Sequence, residues 1–254
     1  MILDKFRLDN KVALVTGASR GLGQGIAIGL AEAGADVVGV SRSSCAETAE
    51  EIEDVGRRFL HLPFDLYDAT LEDLQDLIDD TVEAMGGLHI LVNVAGTIAR
   101  EPTLECSEEA WDKVLKVNLK SLMFLSQAAA RYFVEQGGGK IINIASMLSF
   151  EGGFGVPSYT ASKHGVAGVT RAMANELASQ NVNVNAIAPG YILTELTAVL
   201  EADPERNPSI LARIPADHWG APEDLKGMAV FLASEASSYC HGGIYPVDGG
   251  WLSR

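Results

Sequence analysis

Basic residues are scarce in this 254-residue sequence. Its 19 Lys and Arg residues are outnumbered by 34 Asp and Glu residues, which gives a net charge of −15 at pH 7. Nucleic acids and anionic membrane surfaces bind through positive surface charge, so neither is expected as the main partner of so acidic a chain. Solvated helix faces account for the acid excess equally well, so the charge says little more about function.

Cysteine pairs, histidine clusters and long apolar runs are also missing. The three cysteines, Cys45, Cys106 and Cys240, form no C-x-x-C pair, which favours a reducing compartment over a disulfide framework. The five histidines show no zinc-ligand spacing, so no metal site is expected. No apolar run reaches the length of a membrane span, and the acidic N-terminus is unlike a signal peptide. A cytoplasmic enzyme is therefore expected.

Short apolar segments alternate with longer helical patterns along almost the whole chain. The strand-length segments are residues 11–16, 36–41, 58–65, 89–93, 140–145, 182–188 and 244–247. The helical segments are residues 22–33, 46–55, 71–85, 107–136 with a break, 159–179 and 222–233. This alternation predicts a doubly wound, Rossmann-like α/β fold whose seven-stranded, mostly parallel sheet carries helices on both faces. We expect one domain, residues 1–254, in which the proline-rich segment 190–220 forms a substrate lid.

A glycine-rich turn follows the first predicted strand. Gly17, Gly21 and Gly23 have the spacing G-x-x-x-G-x-G immediately before the first predicted helix. Glycines permit a tight turn and close approach of a pyrophosphate, and a helix N-terminus offers free N–H groups to phosphates. The pattern therefore predicts a dinucleotide site.

The end of the second predicted strand bears on the choice between NAD and NADP. An Asp or Glu there usually binds the ribose 2′-hydroxyl of NAD, but this sequence has Ser41 and Arg42, and no acid before Glu47. An arginine can bind the 2′-phosphate of NADP, or it stacks on the adenine or points to water. The residues lean slightly to NADP. Asp65, at the end of the third predicted strand, is a candidate adenine contact or a turn cap.

The most informative pattern is the set Ser146, Tyr159 and Lys163. Tyr159 and Lys163 are four residues apart in a predicted helix, so their side chains share one face. An ammonium near a phenol favours the phenolate, and lowering the phenol pKa by roughly 2 to 3 units takes about 3 to 4 kcal/mol. Tyr159 would then exchange a proton with a substrate oxygen near neutral pH, while Ser146 hydrogen-bonds the same oxygen. Since Y-x-x-x-K is common by chance, the pattern needs support from the rest of the chain.

That support comes from motif order, which resembles the short-chain dehydrogenase/reductase family over essentially the whole chain. The motifs are T-G-x-x-x-G-x-G at residues 16–23, N-V-A-G at 93–96, Asn118 within KVNLKS, Ser146 with Tyr159 and Lys163, and P-G-x-x-x-T at 189–194. One departure is Val94, where the family usually has a second Asn. The resemblance implies an NAD(P)-dependent oxidoreductase acting on CH–OH groups, and a homotetramer.

The same resemblance implies roles for individual residues. Tyr159 is the expected general acid and base, and Ser146 the group that polarises the carbonyl. Lys163 is expected to lower the pKa of Tyr159 and to bind the nicotinamide ribose, and Asn118 to hold a water that links Lys163 to solvent. The implied cofactor-binding residues are Gly17, Ser19, Arg20, Gly21, Leu22, Gly23, Ser41, Arg42, Asp65, Leu66, Asn93, Ala95, Gly96, Tyr159, Lys163, Pro189, Gly190, Ile192 and Thr194.

Several segments resemble, more narrowly, the family members that act on deoxy sugar acids. They include KIINIASMLSFEGG, VPSYTASKHGVAGVTR, RIPADHWG and VDGGWLSR. This resemblance implies that the substrate is a sugar acid that reacts at a keto or hydroxy group. It also implies NAD as the coenzyme, whereas Arg42 favours NADP. Ser146 and Tyr159 would touch that substrate, and Arg100 and Arg213 are candidates to bind its carboxylate.

Alternatives remain at this point. Arg100 and Arg213 would otherwise form surface salt bridges, for example to Glu101 or Glu205. The substrate would otherwise be another alcohol or a 3-ketoacyl compound. A nucleotide-binding regulator without catalysis is a third possibility, disfavoured because all four residues of the Asn–Ser–Tyr–Lys set are present.

Overall fold

One seven-stranded sheet organises the computed structural model, which describes residues 1–195 and 197–254. Its strands are β1 (Val12–Thr16), β2 (Asp36–Ser41), β3 (Phe59–Pro63), β4 (Ile90–Asn93), β5 (Gly139–Ile144), β6 (Val182–Pro189) and β7 (Ile244–Val247). They lie in the order β3-β2-β1-β4-β5-β6-β7, and every pairing is parallel. The doubly wound fold is confirmed, and the sheet is wholly rather than mostly parallel.

The helices cover both faces of this sheet. They are α1 (Gly21–Glu32), α2 (Ala46–Asp54), α3 (Leu71–Met85), α4 (Glu108–Leu115), α5 (Leu122–Gln136), α6 (Pro157–Leu177), α7 (Ala198–Glu201), α8 (Arg206–Leu211) and α9 (Lys226–Ala233). Successive strand residues point to opposite faces, so Val15 packs with α1, α2 and α9, whereas Leu14 packs with α3, α5 and α6. Burial on both faces explains why the central strands are continuous apolar runs.

The predicted break in segment 107–136 is a π-helical turn, Lys116–Ser121, between α4 and α5. Such turns widen a helix locally and often occur at functional sites. The third predicted strand was too long, because β3 ends at Pro63. Phe64 N–H still donates to the Ser41 carbonyl at 3.1 Å, and Asp65 lies beyond the strand, where its Oδ1 accepts the N–H of Tyr67 at 2.8 Å.

The segment 190–220 contains α7 and α8 and packs by its apolar side against the loop after β5. The buried members of that contact are Met147, Ile210, Ile214, Trp219 and Trp251. A bridge between Ile192 and Gly220 joins the two ends of the segment. Across the described part of the chain, no helix combines the length and apolar character needed to cross a membrane.

A buried amide network ties the central strands to the helices that cover them. Asn93 Nδ2, at the end of β4, donates to Ser126 Oγ and to Asn143 Oδ1, both at 2.9 Å. Asn143 Nδ2 in turn donates to Thr170 Oγ1 of α6 at 3.0 Å. All four side chains are buried, so each depends on the others for its hydrogen bonds.

We expect Asn143→Ala to lower the free energy of unfolding by about 2 to 4 kcal/mol, because it leaves buried groups of Asn93 and Thr170 unpaired. Chemical denaturation at a fixed protein concentration measures the change. Gln75→Ala is the control, since it removes an exposed bond to Asp79 (3.1 Å) on α3 and is expected to cost less than about 0.5 kcal/mol. Equal losses in the two variants would contradict the role of the network.

Candidate active site

Three hydroxyl and amine side chains meet where β5 ends and α6 begins. Ser146 follows β5 and begins a 3₁₀ turn, with its Oγ accepting the N–H of Leu148 at 3.1 Å. Tyr159 and Lys163 lie one turn apart on α6. A hydrogen bond from Ser146 lowers the pKa of Tyr159, so the two hydroxyls are in contact. The fold thus brings together the three residues that the sequence singled out.

The Lys163 ammonium is buried beneath the ring of Tyr159. Its Nζ lies 5.6 Å from the ring centroid and donates to the Ile144 carbonyl at 2.6 Å, and the residue is only 4% exposed. Loss of solvent disfavours the charged amine and lowers the pKa of Lys163 to about 8.

Burial raises the pKa of Tyr159, whereas the sequence predicted a lowered pKa. The effect of burial outweighs the hydrogen bond from Ser146 and the charge of Arg100, both of which lower the pKa. The expected lowering of the Tyr159 pKa by Lys163 is therefore not found in the protein alone, because desolvation of the phenol dominates. The phenol stays protonated at neutral pH and is ready to donate.

Asn118 lies in the π-helical turn and holds the loop after β4. Its Oδ1 accepts the N–H of Thr97 at 2.8 Å, and its Nδ2 donates to Thr97 O at 2.9 Å and to Ser162 Oγ at 3.1 Å. Ser162 Oγ then donates to the carbonyl of Tyr159 at 2.7 Å. Asn118 thus fixes the first turn of α6 against the β4 loop, and its role as a water holder stays a prediction.

The glycine-rich turn has the shape that a pyrophosphate requires. Gly17 and Gly21 adopt left-handed φ values of +70° and +57°, which favour glycine. A Cβ on Gly23 would lie 2.1 Å from the Gly17 carbonyl oxygen. Arg20, the N-cap of α1, supplies no side-chain acceptor to the first turn, which leaves N–H groups there for an anion. These residues, with Ser19 and Leu22 in the same stretch, fit a dinucleotide.

The motif at residues 93–96 packs directly on this turn. Thr16 Oγ1 accepts the N–H groups of Val94 and Ala95, each at 3.0 Å. A Cβ on Gly17 would lie 3.1 Å from Ala95 Cα, and one on Gly96 would lie 3.4 Å from Asn118 Oδ1. The backbone that follows β4 therefore lies beside the glycine-rich turn, where the cofactor is expected to bind.

The side chain of Asn93 does not belong to that site. Both of its amide hydrogens are used in the core network, and it is buried. Only the backbone of Asn93 therefore remains a candidate contact for the cofactor. The sequence motif could not show that the side-chain amide points into the core.

The P-G-x-x-x-T stretch reaches the glycine-rich turn from the other side. Gly190 N donates to Val247 O at 3.0 Å, which fixes the end of β6 after Pro189. Further along, the methyl group of Thr194 would lie 3.4 Å from a Cβ on Gly21. Arg20 and Glu195 form an exposed ion pair of 2.7 Å between the two stretches.

The predicted adenosine end of the site carries an exposed cation, Arg42. Arg42 Nη1 lies 3.5 Å from Asp65 Oδ2, and its side chain is 73% exposed. So long and exposed an ion pair is weak, which leaves the guanidinium available to a phosphate. Ser41 Oγ donates to Ser43 O at 2.6 Å, while the carbonyl of Leu66 accepts the Ser121 hydroxyl at 2.7 Å.

The two predicted substrate arginines occupy different positions. Arg100 lies near enough to Tyr159 for its charge to lower the pKa of the phenol. Arg213 stacks over Trp251, with Cζ 3.8 Å from the ring centroid, and its Nη2 lies 3.4 Å from Glu151 Oε2. The surface salt bridge that was the alternative role of Arg213 is therefore present, but its partner is Glu151 rather than Glu205.

Three residues in the surroundings of Arg213 and Tyr191, namely Glu151, Arg206 and Trp251, were not predicted from the sequence. Glu151 accepts the Trp251 indole N–H at 2.5 Å, and a hydrogen bond from Arg206 reaches the phenol of Tyr191. Residues 151 and 251 lie 100 positions apart in sequence, so no local signal could have indicated the contact.

Comparison with known proteins identifies the family. The family model for short chain dehydrogenases matches residues 11–205. The chain belongs to the short-chain dehydrogenase family. It is therefore an NAD(P)-dependent oxidoreductase acting on CH–OH groups, and the sequence-based expectations of fold, cofactor type and reaction class are confirmed.

Full-length relatives of this short-chain dehydrogenase act on sugar acids. The 2-dehydro-3-deoxy-D-gluconate 5-dehydrogenase of Escherichia coli (strain K12) is 57% identical over 255 residues that cover 100% of both chains. A crystal structure from Agrobacterium tumefaciens, described as a 2-deoxy-D-gluconate 3-dehydrogenase with bound NADP, is 51% identical with TM-score 0.93 and covers 99% of this chain and 100% of that one. A gluconate 5-dehydrogenase from Burkholderia cenocepacia J2315, in complex with NADP and tartrate, is 37% identical with TM-score 0.95, each chain being covered completely (100%).

The buried Lys163 predicts a pH-dependent stability difference. Its folded pKa of about 8 lies below the ordinary 10.5, so between these values the unfolded chain binds the extra proton and stability rises with pH. Below pH 8 the buried charge costs about 3 kcal/mol. We expect the stability of the wild type relative to Lys163→Met to rise by up to this amount between pH 7 and pH 10. Denaturation of nucleotide-free protein measures it, with exposed Lys5→Met as control; a pH-independent difference would refute it.

Arg42 predicts coenzyme discrimination. Arg42→Ala should raise the KM for NADP by about 10-fold or more through loss of a charge-assisted bond, and leave the KM for NAD nearly unchanged. Initial rates with each coenzyme provide the measurement. An equal effect on both would show that the arginine does not read the 2′-phosphate.

Proposed function

We propose that this dehydrogenase transfers a hydride between NADP or NAD and a keto or hydroxy group of a deoxy sugar acid. The substrate is of the 2-dehydro-3-deoxy-D-gluconate or 2-deoxy-D-gluconate type named for its relatives. The observation that carries the proposal is the contact of Ser146 with Tyr159 above buried Lys163, with arginines nearby in an otherwise acidic protein. Tartrate, a hydroxy acid, in a structural neighbour supports the substrate class.

Tyr159 moves the proton. In reduction its phenol donates to the carbonyl oxygen while Ser146 donates a hydrogen bond to the same oxygen, and in oxidation the proton returns. Ser146 Oγ already accepts the Leu148 N–H, and its own hydrogen, which meets Tyr159 in the protein alone, turns to the substrate oxygen when the substrate is bound. When the phenolate forms, the Lys163 ammonium 5.6 Å from the ring centroid stabilises it by charge.

The nicotinamide group supplies or accepts the hydride when bound, and the chain binds and orients it. The glycine-rich turn holds the pyrophosphate, Arg42 the 2′-phosphate, and Lys163 the nicotinamide ribose. The presence of NADP in two structural neighbours supports the slight preference for NADP that we infer from Arg42. Pro189, Gly190, Ile192 and Thr194 line the nicotinamide end.

Arg100 and Arg213 are the proposed carboxylate ligands, and the segment 190–220 is the proposed lid of a single-domain protein. The ends of that segment meet at the Ile192–Gly220 bridge, and its apolar side packs beside Ser146 through Met147. This arrangement supports closure over the reacting group.

The proposed assembly is a homotetramer in the cytoplasm. An apolar groove of about 470 Å³ on the outer side of α4, α5 and α6 supports a contact between subunits; Leu115, Leu119, Met123, Phe124 and Val169 line its apolar part. The three cysteines are free, which suits a reducing compartment.

Tyr159→Phe tests the proposal. The variant keeps the ring and its packing but loses the proton, so kcat with 2-dehydro-3-deoxy-D-gluconate should fall by about 10²- to 10⁴-fold. Coenzyme affinity, followed by fluorescence of the reduced nicotinamide, should change little. Tyr239→Phe, at a 97% exposed position, is the control.

Two outcomes would overturn the proposal. Near-normal turnover by Tyr159→Phe would remove the phenol as acid and base. Absence of turnover by the wild type with a panel of sugar acids and both coenzymes would favour a different alcohol, a 3-ketoacyl substrate or a regulator.

A further inference from the structure

Two arginines and one glutamate surround a half-buried tyrosine beside the proposed active site. We call this set, Glu151, Tyr191, Arg206, Arg213 and Trp251, the arginine–tryptophan cluster. Its members come from the loop after β5, the stretch after β6, α8, the end of the segment 190–220 and the C-terminal turn. Neither Arg206 nor Glu151 has a role in the reaction described so far.

Aromatic packing holds the cluster in place. The Tyr191 ring makes edge contacts with Trp219 at 5.0 Å and with Trp251 at 4.9 Å between centroids. The guanidinium of Arg213 lies over the ring of Trp251, with Cζ 3.8 Å from the ring centroid. A guanidinium stacked in this way keeps its N–H donors directed outward in its plane, where they can meet a planar anion.

The cluster holds more positive charge than its acid neutralises. A hydrogen bond from Arg206 reaches Tyr191, and the charges of Arg206 and Arg213 both act to lower its pKa against the effect of burial. Glu151 meets Arg213 only at 3.4 Å, which is long for a charged hydrogen bond.

Asp203 is the other acid close to Arg206, and its carboxylate is already committed. Its Oδ1 accepts the backbone N–H groups of Glu205 and Arg206, each at 2.9 Å. These two bonds tie Asp203 to the beginning of α8 and lower its pKa, and the charge of Arg206 lowers it further, so Asp203 supports the helix and offsets part of the charge of Arg206.

The cluster is open to a solute and adjoins the proposed reaction site. The side chains of Arg213 and Glu151 are 55% and 30% exposed, and Arg206 is half-buried. Trp219 and Trp251 pack against Met147, the residue after Ser146. A group bound at the cluster would therefore lie close to the loop that carries Ser146.

We propose that Arg206 joins Arg213 in binding the substrate carboxylate, and that Glu151 is an internal anion that this carboxylate displaces from Arg213. The inference rests on the proposed function, since it takes a sugar acid as the substrate. Two guanidinium groups and the Tyr191 hydroxyl offer the donors that a carboxylate accepts.

The test compares a sugar acid with its uncharged carboxamide in three variants. Arg206→Gln should raise the KM for the acid by about 10- to 100-fold, the loss expected for a charged hydrogen bond, with kcat and the KM for the carboxamide nearly unchanged. Arg206→Lys, which keeps the charge but loses the planar group, should show a smaller increase. Arg7→Gln removes a cation from the exposed pair with Asp9 and is the control for net charge.

Glu151→Gln should change the KM for the sugar acid in the opposite direction to Arg206→Gln. Glutamine can still accept the Trp251 N–H, but it no longer competes for Arg213, so the KM for the acid should fall by about 3-fold or more. Thermal unfolding of each variant confirms that it is folded. A role of Glu151 in structure alone would leave that KM unchanged or raise it.

The outcomes separate this inference from the proposed function. Suppose that the wild type turns over the sugar acid, but that Arg206→Gln raises the KM for acid and carboxamide equally or raises neither. This result overturns the inference and leaves the proposed function intact. An unchanged or raised KM in Glu151→Gln overturns the displacement step. Failure of the wild type to turn over any sugar acid overturns both.

Discussion

The burial of one ammonium beneath one phenol is the constraint on which the proposed chemistry depends. Lys163 is removed from water and held by the Ile144 carbonyl at 2.6 Å, so the fold keeps a charge where a neutral side chain would be more stable. The same lack of water keeps Tyr159 protonated. Buried ionisable groups with shifted pKa values are concentrated at functional sites, where proton transfer requires such pKa values.

The fully parallel sheet places this pair where a dinucleotide can reach it. Because all strands run the same way, the ends of β1, β4, β5 and β6 meet at one edge, and the order reverses between β1 and β4. The π-helical turn then directs Asn118 towards Thr97 and Ser162. The parallel sheet and the π-helical turn therefore together fix the position of α6, which carries Tyr159 and Lys163.

Charge is distributed unevenly in this acidic protein. A chain of net charge −15 repels free anions in general, yet its proposed ligands are all anionic. Arg42 at the adenosine end, Arg100 near the phenol, and Arg206 with Arg213 beside Tyr191 supply local positive charge at separate points. Pairing at short range exceeds the screened field of distant surface acids, so these arginines can bind anionic groups in spite of the net charge.

The sequence by itself determined the strands, the longer helices, the glycine-rich turn and the shared helix face of Tyr159 and Lys163, all of which follow from periodicity or spacing within a short stretch of chain. The family was indicated by the resemblance of its motifs, in their order along the whole chain. Only the tertiary structure decided the direction of the Tyr159 pKa, the inward turn of the Asn93 amide, and the meeting of Glu151, Arg206 and Trp251. These depend on desolvation and on contacts between segments far apart in sequence, which exist only once the chain has packed.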